Sequence, residues 1–165
     1  MLMDNVDVAD RLTITVTRNG RVIETIEPIS TQSFFGSVLC ALGLKKYTTD
    51  LVVTAGLASV TGFLITEYTH MAIGEGAVAP AMGNTTLGSE AMRVTFTSAT
   101  QETTTYANDT ARFVAEFTMS GDTAITEMGI FNNSSGGTMF QRQSFAVINL
   151  KAADVITMTL DVVLS

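Results

Sequence analysis

The feature that most limits what this chain can fold into is a two-residue periodicity that keeps returning between turn signals. Arg11 to Thr17 reads RLTITVT, with Leu12, Ile14 and Val16 on one side and Thr on the other. Val22 to Glu27 alternates again, and the intervening Asn19-Gly20 supplies the two positive-φ residues of a type I′ turn. An N-terminal hairpin closed before Pro28 is therefore expected. The pattern recurs over Arg93 to Ser98, over Arg112 to Met119, and over Val155 to Leu164. Ala124 to Phe131 and Thr138 to Ile148 read as further strands, separated by the polar tip Asn132 to Gly137. Thr100 to Asn108 either continues a strand or forms an exposed edge. Short alternating strands between turns predict a mainly β protein: an antiparallel, jelly-roll-like β-sandwich with an N-terminal hairpin and one short helix. Alternation buries one face of each sheet and turns the other outward, and the outward face here is rich in Thr.

Ser30 to Leu44 departs from this pattern. Phe34, Phe35, Val38, Leu39 and Leu42 follow a helical spacing, with Ser30 or Thr31 as N-cap and Gly43 before Lys45-Lys46 as the stop. The stripe Phe34, Phe35, Val38 and Leu39 is the candidate assembly interface. Leu51 to Ile65 is apolar but only 15 residues long, and it contains two Thr, a Ser and two Gly. A spanning helix needs about 20 apolar residues, so this run is expected to be buried protein interior. Phe63 to Ile73 follows as a strand ending at Gly74, and Gly74 to Gly88 as a long irregular loop. Residues 1–66 form a docking and assembly region on this reading, and residues 67–165 a sandwich domain.

Composition narrows the chemistry. Of the 165 residues, 46% are hydrophobic and 15% charged, a balance that favours a packed core over disorder. Nine Lys and Arg face sixteen Asp and Glu, and both halves of the chain are acidic. No basic stripe exists to meet phosphates, so no direct nucleic-acid partner is expected. One Cys and one His cannot make a disulfide framework or a zinc site within one chain. The N-terminus, Met1 to Asp7, is acidic where a secretory signal is basic, which points to synthesis in a cytoplasm without a membrane partner.

Individual motifs each have a structural reading that outweighs the chemical one. Gly74-Glu75-Gly76-Ala77-Val78-Ala79 has the spacing of a dinucleotide fingerprint, but Pro80 interrupts the helix such a site requires, which leaves a Gly-Pro loop. Cys40 and His70 would form a nucleophile and base only if brought together; Cys40 sits in an apolar run and reads as core. Glu67, Glu75, Glu90, Glu102, Glu116 and Glu127 are the acids available for a hydrolase pair, and Trp, the usual sugar platform, is absent. Glu127 stands apart. It lies in the apolar strand Ile125 to Phe131, where alternation puts it on one face with Ile125 and Gly129, and a half-buried acid there needs a partner. Arg142 on the next strand is that partner. The sequons at Asn84, Asn108, Asn132 and Asn133 mark polar loops.

As a set, these pieces resemble tailed-bacteriophage structural proteins. Met71-Ala72-Ile73-Gly74-Glu75-Gly76, Ala79-Pro80, and Asn84 through Glu90 (NTTLGSE) are similar to an IGxG, AP, T-x-LGxE segment of that group. ITEMGIFN at Ile125 to Asn132, GTMFQRQSF at Gly137 to Phe145 and INLKAADVITMTL at Ile148 to Leu160 continue the likeness, which spans roughly residues 68–165. It implies a non-enzymatic, cofactor-free virion component of the tail fibre, neck, baseplate or capsid-surface kind. Its partners would be copies of itself and other virion proteins. The alternative is a receptor- or carbohydrate-binding module whose exposed loop, Asn132, Asn133, Ser134 and Ser135, meets a host surface glycan. The only polar aromatics, Tyr47, Tyr68 and Tyr106, are scattered.

Overall fold

A computed structural model of the chain describes residues 8–18, 20–26 and 52–164. The candidate helix over 30–44, with Phe34, Phe35, Val38, Leu39 and Cys40, lies outside the described residues.

Nine strands and one helix are laid out in the order β1 (Val8–Arg18), β2 (Arg21–Ile26), α1 (Thr54–Glu67), β3 (His70–Gly74), β4 (Glu90–Thr95), β5 (Ser98–Glu102), β6 (Thr110–Thr118), β7 (Thr123–Phe131), β8 (Met139–Leu150) and β9 (Val155–Leu164) among the described residues. They make two antiparallel sheets, ordered β2-β1-β9-β6-β5 and β4-β3-β7-β8. The sandwich expected from the alternation is thus the observed architecture. Phe113, Ala115 and Phe117 of β6 and Ile156, Met158, Leu160 and Val162 of β9 face Met71, Ile73, Met128 and Ile130 of the other sheet in one continuous core.

The hairpin follows its turn chemistry. Arg18 pairs with Arg21 across the Asn19-Gly20 connection, and Gly20 has φ of +72°. Such a φ costs little for Gly, which has no Cβ, and somewhat more for Asn. β1 then runs beside β9 from Val8–Leu164 to Thr17–Val155, so the hairpin extends the same sheet that β6 and β9 form. At its tip the Arg18 guanidinium donates Nε and Nη2 to the Asp154 carboxylate at 2.7 and 2.6 Å, and the Lys151 N–H donates to the same group. These donors hold Asp154 down at about 2. On the outer face of this sheet the register sets Thr15 opposite Thr157 and Arg112 opposite Asp161, the latter a bidentate ion pair.

Two expectations for the segment before β3 are corrected. Thr54 to Glu67 is a helix, and the strand anticipated from Phe63 begins only at His70. Leu57, Thr61 and Leu64 face the core, whereas Val52, Val53, Val60 and Phe63 are exposed, so only one side of the apolar run is interior. Spacings of four and three residues put Leu57, Thr61 and Leu64 on one helical face. The exposed side also carries large apolar residues, Val60 and Phe63, which blurs the period. Thr61 fixes the docking: its hydroxyl donates to the Asn108 carbonyl at 2.7 Å and accepts from Gln101 Nε2 at 2.8 Å. Gln101 Nε2 also donates to the Ala58 carbonyl, and so the short edge strand β5 is tied to the helix.

The four-stranded sheet does not follow the one-face rule. Ala72, Glu127, Gly129 and Phe131, which lie off the main core, are buried as well. The cover is the loop 75–89, which lies over the outer face and buries Leu87 against Ala72 and Phe131.

Candidate functional site

Glu127 is the point on which that loop is built. Between Ile125 and Glu127 the β7–β8 register slips, with Ile125 opposite Ile148 and Glu127 opposite Ser144. This bulge changes the phase of the strand. Ile125 stays in the core with Met128 and Ile130, while Glu127 turns to the outer face with Gly129 and Phe131. The expectation that Glu127 shares a face with Ile125 is corrected accordingly; the one that it shares a face with Gly129 holds.

Fully buried, the Glu127 carboxylate accepts four hydrogen bonds, two on each oxygen. Oε1 accepts the N–H groups of Gly76 and Ser89 at 2.9 and 2.8 Å; Oε2 accepts the Gly88 N–H at 3.0 Å and Arg142 Nε at 2.7 Å. The expected partner is therefore the observed one. Burial pushes this carboxyl up, but the N–H groups of Gly88 and Ser89, then Arg142 and Gly76, outweigh it and hold the group below the ordinary glutamate value. The glycines are a steric condition of the arrangement. A Cβ at Gly76 would overlap Glu127 Oε1, and one at Gly74 would overlap the Ser89 carbonyl oxygen.

Arg142, 4% exposed in its side chain, carries the clamp outward to the loop's tip. Its Nη2 donates to the Val78 carbonyl at 2.8 Å and its Nη1 to Asn84 Oδ1 at 2.8 Å. Asn84 Oδ1 also accepts the Ala81 N–H, and the Asn84 N–H returns to the Ala81 carbonyl, which closes a tight turn through Met82 and Gly83. The loop after Gly74-Glu75-Gly76 has no helix, as expected of a Gly-Pro loop.

A second arginine does for loop 132–137 what Arg142 does for loop 75–89. Arg93 forms a bidentate pair with Glu90, stacks 3.6 Å above the Phe131 ring centroid, and donates Nη1 to the carbonyls of Asn133 and Gly136 at 2.8 and 2.9 Å. Asn132 turns inward, with Oδ1 accepting the Thr138 N–H and Nδ2 donating to Glu67. Asn133, Ser134 and Ser135 remain exposed. No sequence signal singles out Arg93; only its place opposite Ala72, on the face Phe131 also occupies, brings it under the loop.

The remaining acids are apart from one another in role. Glu75 accepts the Ala124 N–H, Glu102 accepts the Thr100 hydroxyl, and Glu116 is exposed. His70 lies half-buried between the hydroxyls of Thr69 (2.7 Å from Nδ1) and Thr95 (3.3 Å from Nε2). Asp109, which sequence reasoning passed over, is fully buried; it accepts the N–H groups of Thr104, Thr105 and Tyr106 and the Thr110 hydroxyl. Burial pushes it up, yet these four donors hold it at about 2. Among the described residues no group of three or more His, Cys, Asp or Glu side chains is arranged to hold a metal ion, and no helix is long and apolar enough to cross a membrane.

No family model matches the chain, and comparison with curated proteins and with solved structures returns no match.

Proposed function

We propose that this chain is a non-enzymatic structural component of a tailed-phage virion, an oligomeric accessory protein attached to the tail, neck or capsid surface that contributes to assembly or stabilisation. One observation supports the reading above the others. The separate stretches that carry the resemblance (IGEG, LGSE, ITEMGIFN and GTMFQRQSF) meet at Glu127, through Gly76, Gly88, Ser89 and Arg142. Three hydrogen bonds of that carboxylate come from the loop's own N–H groups and the fourth from Arg142 on β8, which itself holds the loop's tip, so the shared residues serve to present a shaped loop on a sandwich rather than to engage a reacting atom. Val78 and Met82, exposed apolar side chains gathered on the clamped loop, fit a protein–protein contact. Mass spectrometry of gradient-purified particles tests the reading: the chain co-purifies at a fixed ratio to the major capsid protein, whereas a chain found only in the particle-free lysate refutes it.

A second reading, a glycan-binding module, draws support from Arg93, which holds loop 132–137 by its backbone and leaves Asn133, Ser134 and Ser135 free to meet a polar ligand. Glycan-array binding that vanishes when this loop is shortened favours it; an array without signal removes it.

A further inference from the structure

The loop 75–89 places an unusual residue at its apex. Met82 is fully exposed and Val78 74% exposed, and no charged side chain occurs from Gly76 to Gly88. Turn apices are ordinarily polar, because nothing covers them. This one is held by two Ala81–Asn84 hydrogen bonds and by Arg142, so the methionine is presented in a fixed position. Beside it lies an open groove of about 440 Å³, with Pro80, Ala81 and Met82 on one wall and Met139, Phe140 and Gln141 on the other. The Phe140 ring is set in place by a tilted stack on Tyr68, with centroids 5.1 Å apart. A projecting apolar side chain and a recess of mixed apolar and polar lining thus share one patch.

We infer that this patch is a two-fold contact between copies of this chain, in which Met82 of each copy enters the groove between the turn and Phe140 of the other. The inference deepens the assembly reading above and rests on it. A two-fold axis requires a surface complementary to itself, and a knob adjacent to its own recess meets that requirement. Charge selects the same place. Each copy carries a net charge of −7, so copies meet at lowest electrostatic cost where neither exposes a charge. Arg142, the one ionic side chain lining the groove among the described residues, is neutralised by Glu127 beneath it. The clamp also fixes the loop before contact, which lowers the ordering entropy lost on association. Methionine, unbranched and polarisable, adapts its own shape to such a recess.

Sedimentation velocity and mass photometry on the full chain, across a wide concentration range, test this. The wild-type protein is expected to self-associate, and Met82→Glu to weaken that association at least tenfold with an unchanged circular-dichroism spectrum and melting temperature. Met82→Leu restores it, and Val22→Glu, which puts the same charge at an exposed apolar site on β2, leaves it intact. Peroxide should oxidise Met82 more slowly at concentrations where the protein is associated. A monomeric wild type, or a Met82→Glu variant that associates like the wild type, overturns the contact. Particle incorporation is scored in parallel to separate the two claims. A wild-type monomer that enters particles overturns only the contact; an association held by Met82 in a chain that never enters particles overturns only the virion reading.

Discussion

Glu127→Gln changes one atom's chemistry and almost no volume, so its cost reports directly on the clamp. The carboxylate receives four donors and offers four acceptor sites; an amide can accept at its oxygen but presents an NH2 group to the other pair. Two donors then face a donor, and the Arg142 guanidinium stays buried without its counter-charge. Removing one member of a buried ion pair costs about 3–5 kcal/mol. In a chain of this size that lowers the melting temperature by roughly 6–20 °C. Arg142→Met should cost less, because the carboxylate keeps three backbone N–H groups. The two variants also differ in place. Under hydrogen exchange, Glu127→Gln deprotects the root of the loop, the amides of Gly76, Gly88 and Ser89; Arg142→Met deprotects the tip, Ala81 and Asn84. Urea denaturation with residue-resolved exchange measures both. A Glu127→Gln protein within 1 kcal/mol of the wild type, or one whose root amides stay protected, refutes the claim that this carboxylate holds the loop.

The remaining expectations are independent of that variant. Gly76→Ala should mimic it, since the added Cβ displaces the Glu127 carboxylate; loop protection in Gly76→Ala equal to that of the wild type contradicts this. Asp109→Asn leaves at least one backbone N–H group, that of Thr104 in the better orientation, facing an amide nitrogen and should cost about 1–3 kcal/mol by chemical denaturation, with exchange rising only around residues 104–106. Acid should destabilise the protein in a defined window. Glu127, Asp109 and Asp154 all have folded values below their unfolded ones, so their contributions are complete above the ordinary carboxyl range. The contributions of the two Asp residues are lost as pH falls from 3.8 through about 2, and a stability that is flat across that interval refutes the assignment. Arg93→Leu should make loop 132–137 the first site of limited proteolysis, and an unchanged cleavage pattern argues against its backbone clamp.

Much of the sandwich was legible because its strands keep one face apolar, and the hairpin because Asn19-Gly20 permits one tight turn. Glu127 was legible for the opposite reason: a single acid in an apolar strand demands a cation, and Arg142 stood on the neighbouring strand. What the alternation hid has physical causes. Thr54–Glu67 carries Val60 and Phe63 on its exposed side and Thr61 on its core side, so its helical period is blurred. The register slip between β7 and β8 is a matter of cross-strand pairing and leaves no local mark. Three of the four donors to Glu127 are main-chain N–H groups, which no side chain announces; the only trace is the small residues, Gly76, Gly88 and Ser89, that let a carboxylate come so close. Arg93 and Asp109 act on backbone too, and sequence patterns of side chains were blind to both.

Cryogenic imaging of intact particles, at a resolution that traces side chains, tests most directly whether this molecule is a building block whose clamped loop makes contacts. The account predicts repeated copies of the sandwich on the tail, neck or capsid surface, with Met82 and Val78 buried against a neighbouring chain. Particles that lack the sandwich altogether, or that carry it with loop 75–89 facing open solvent in every copy, would contradict it.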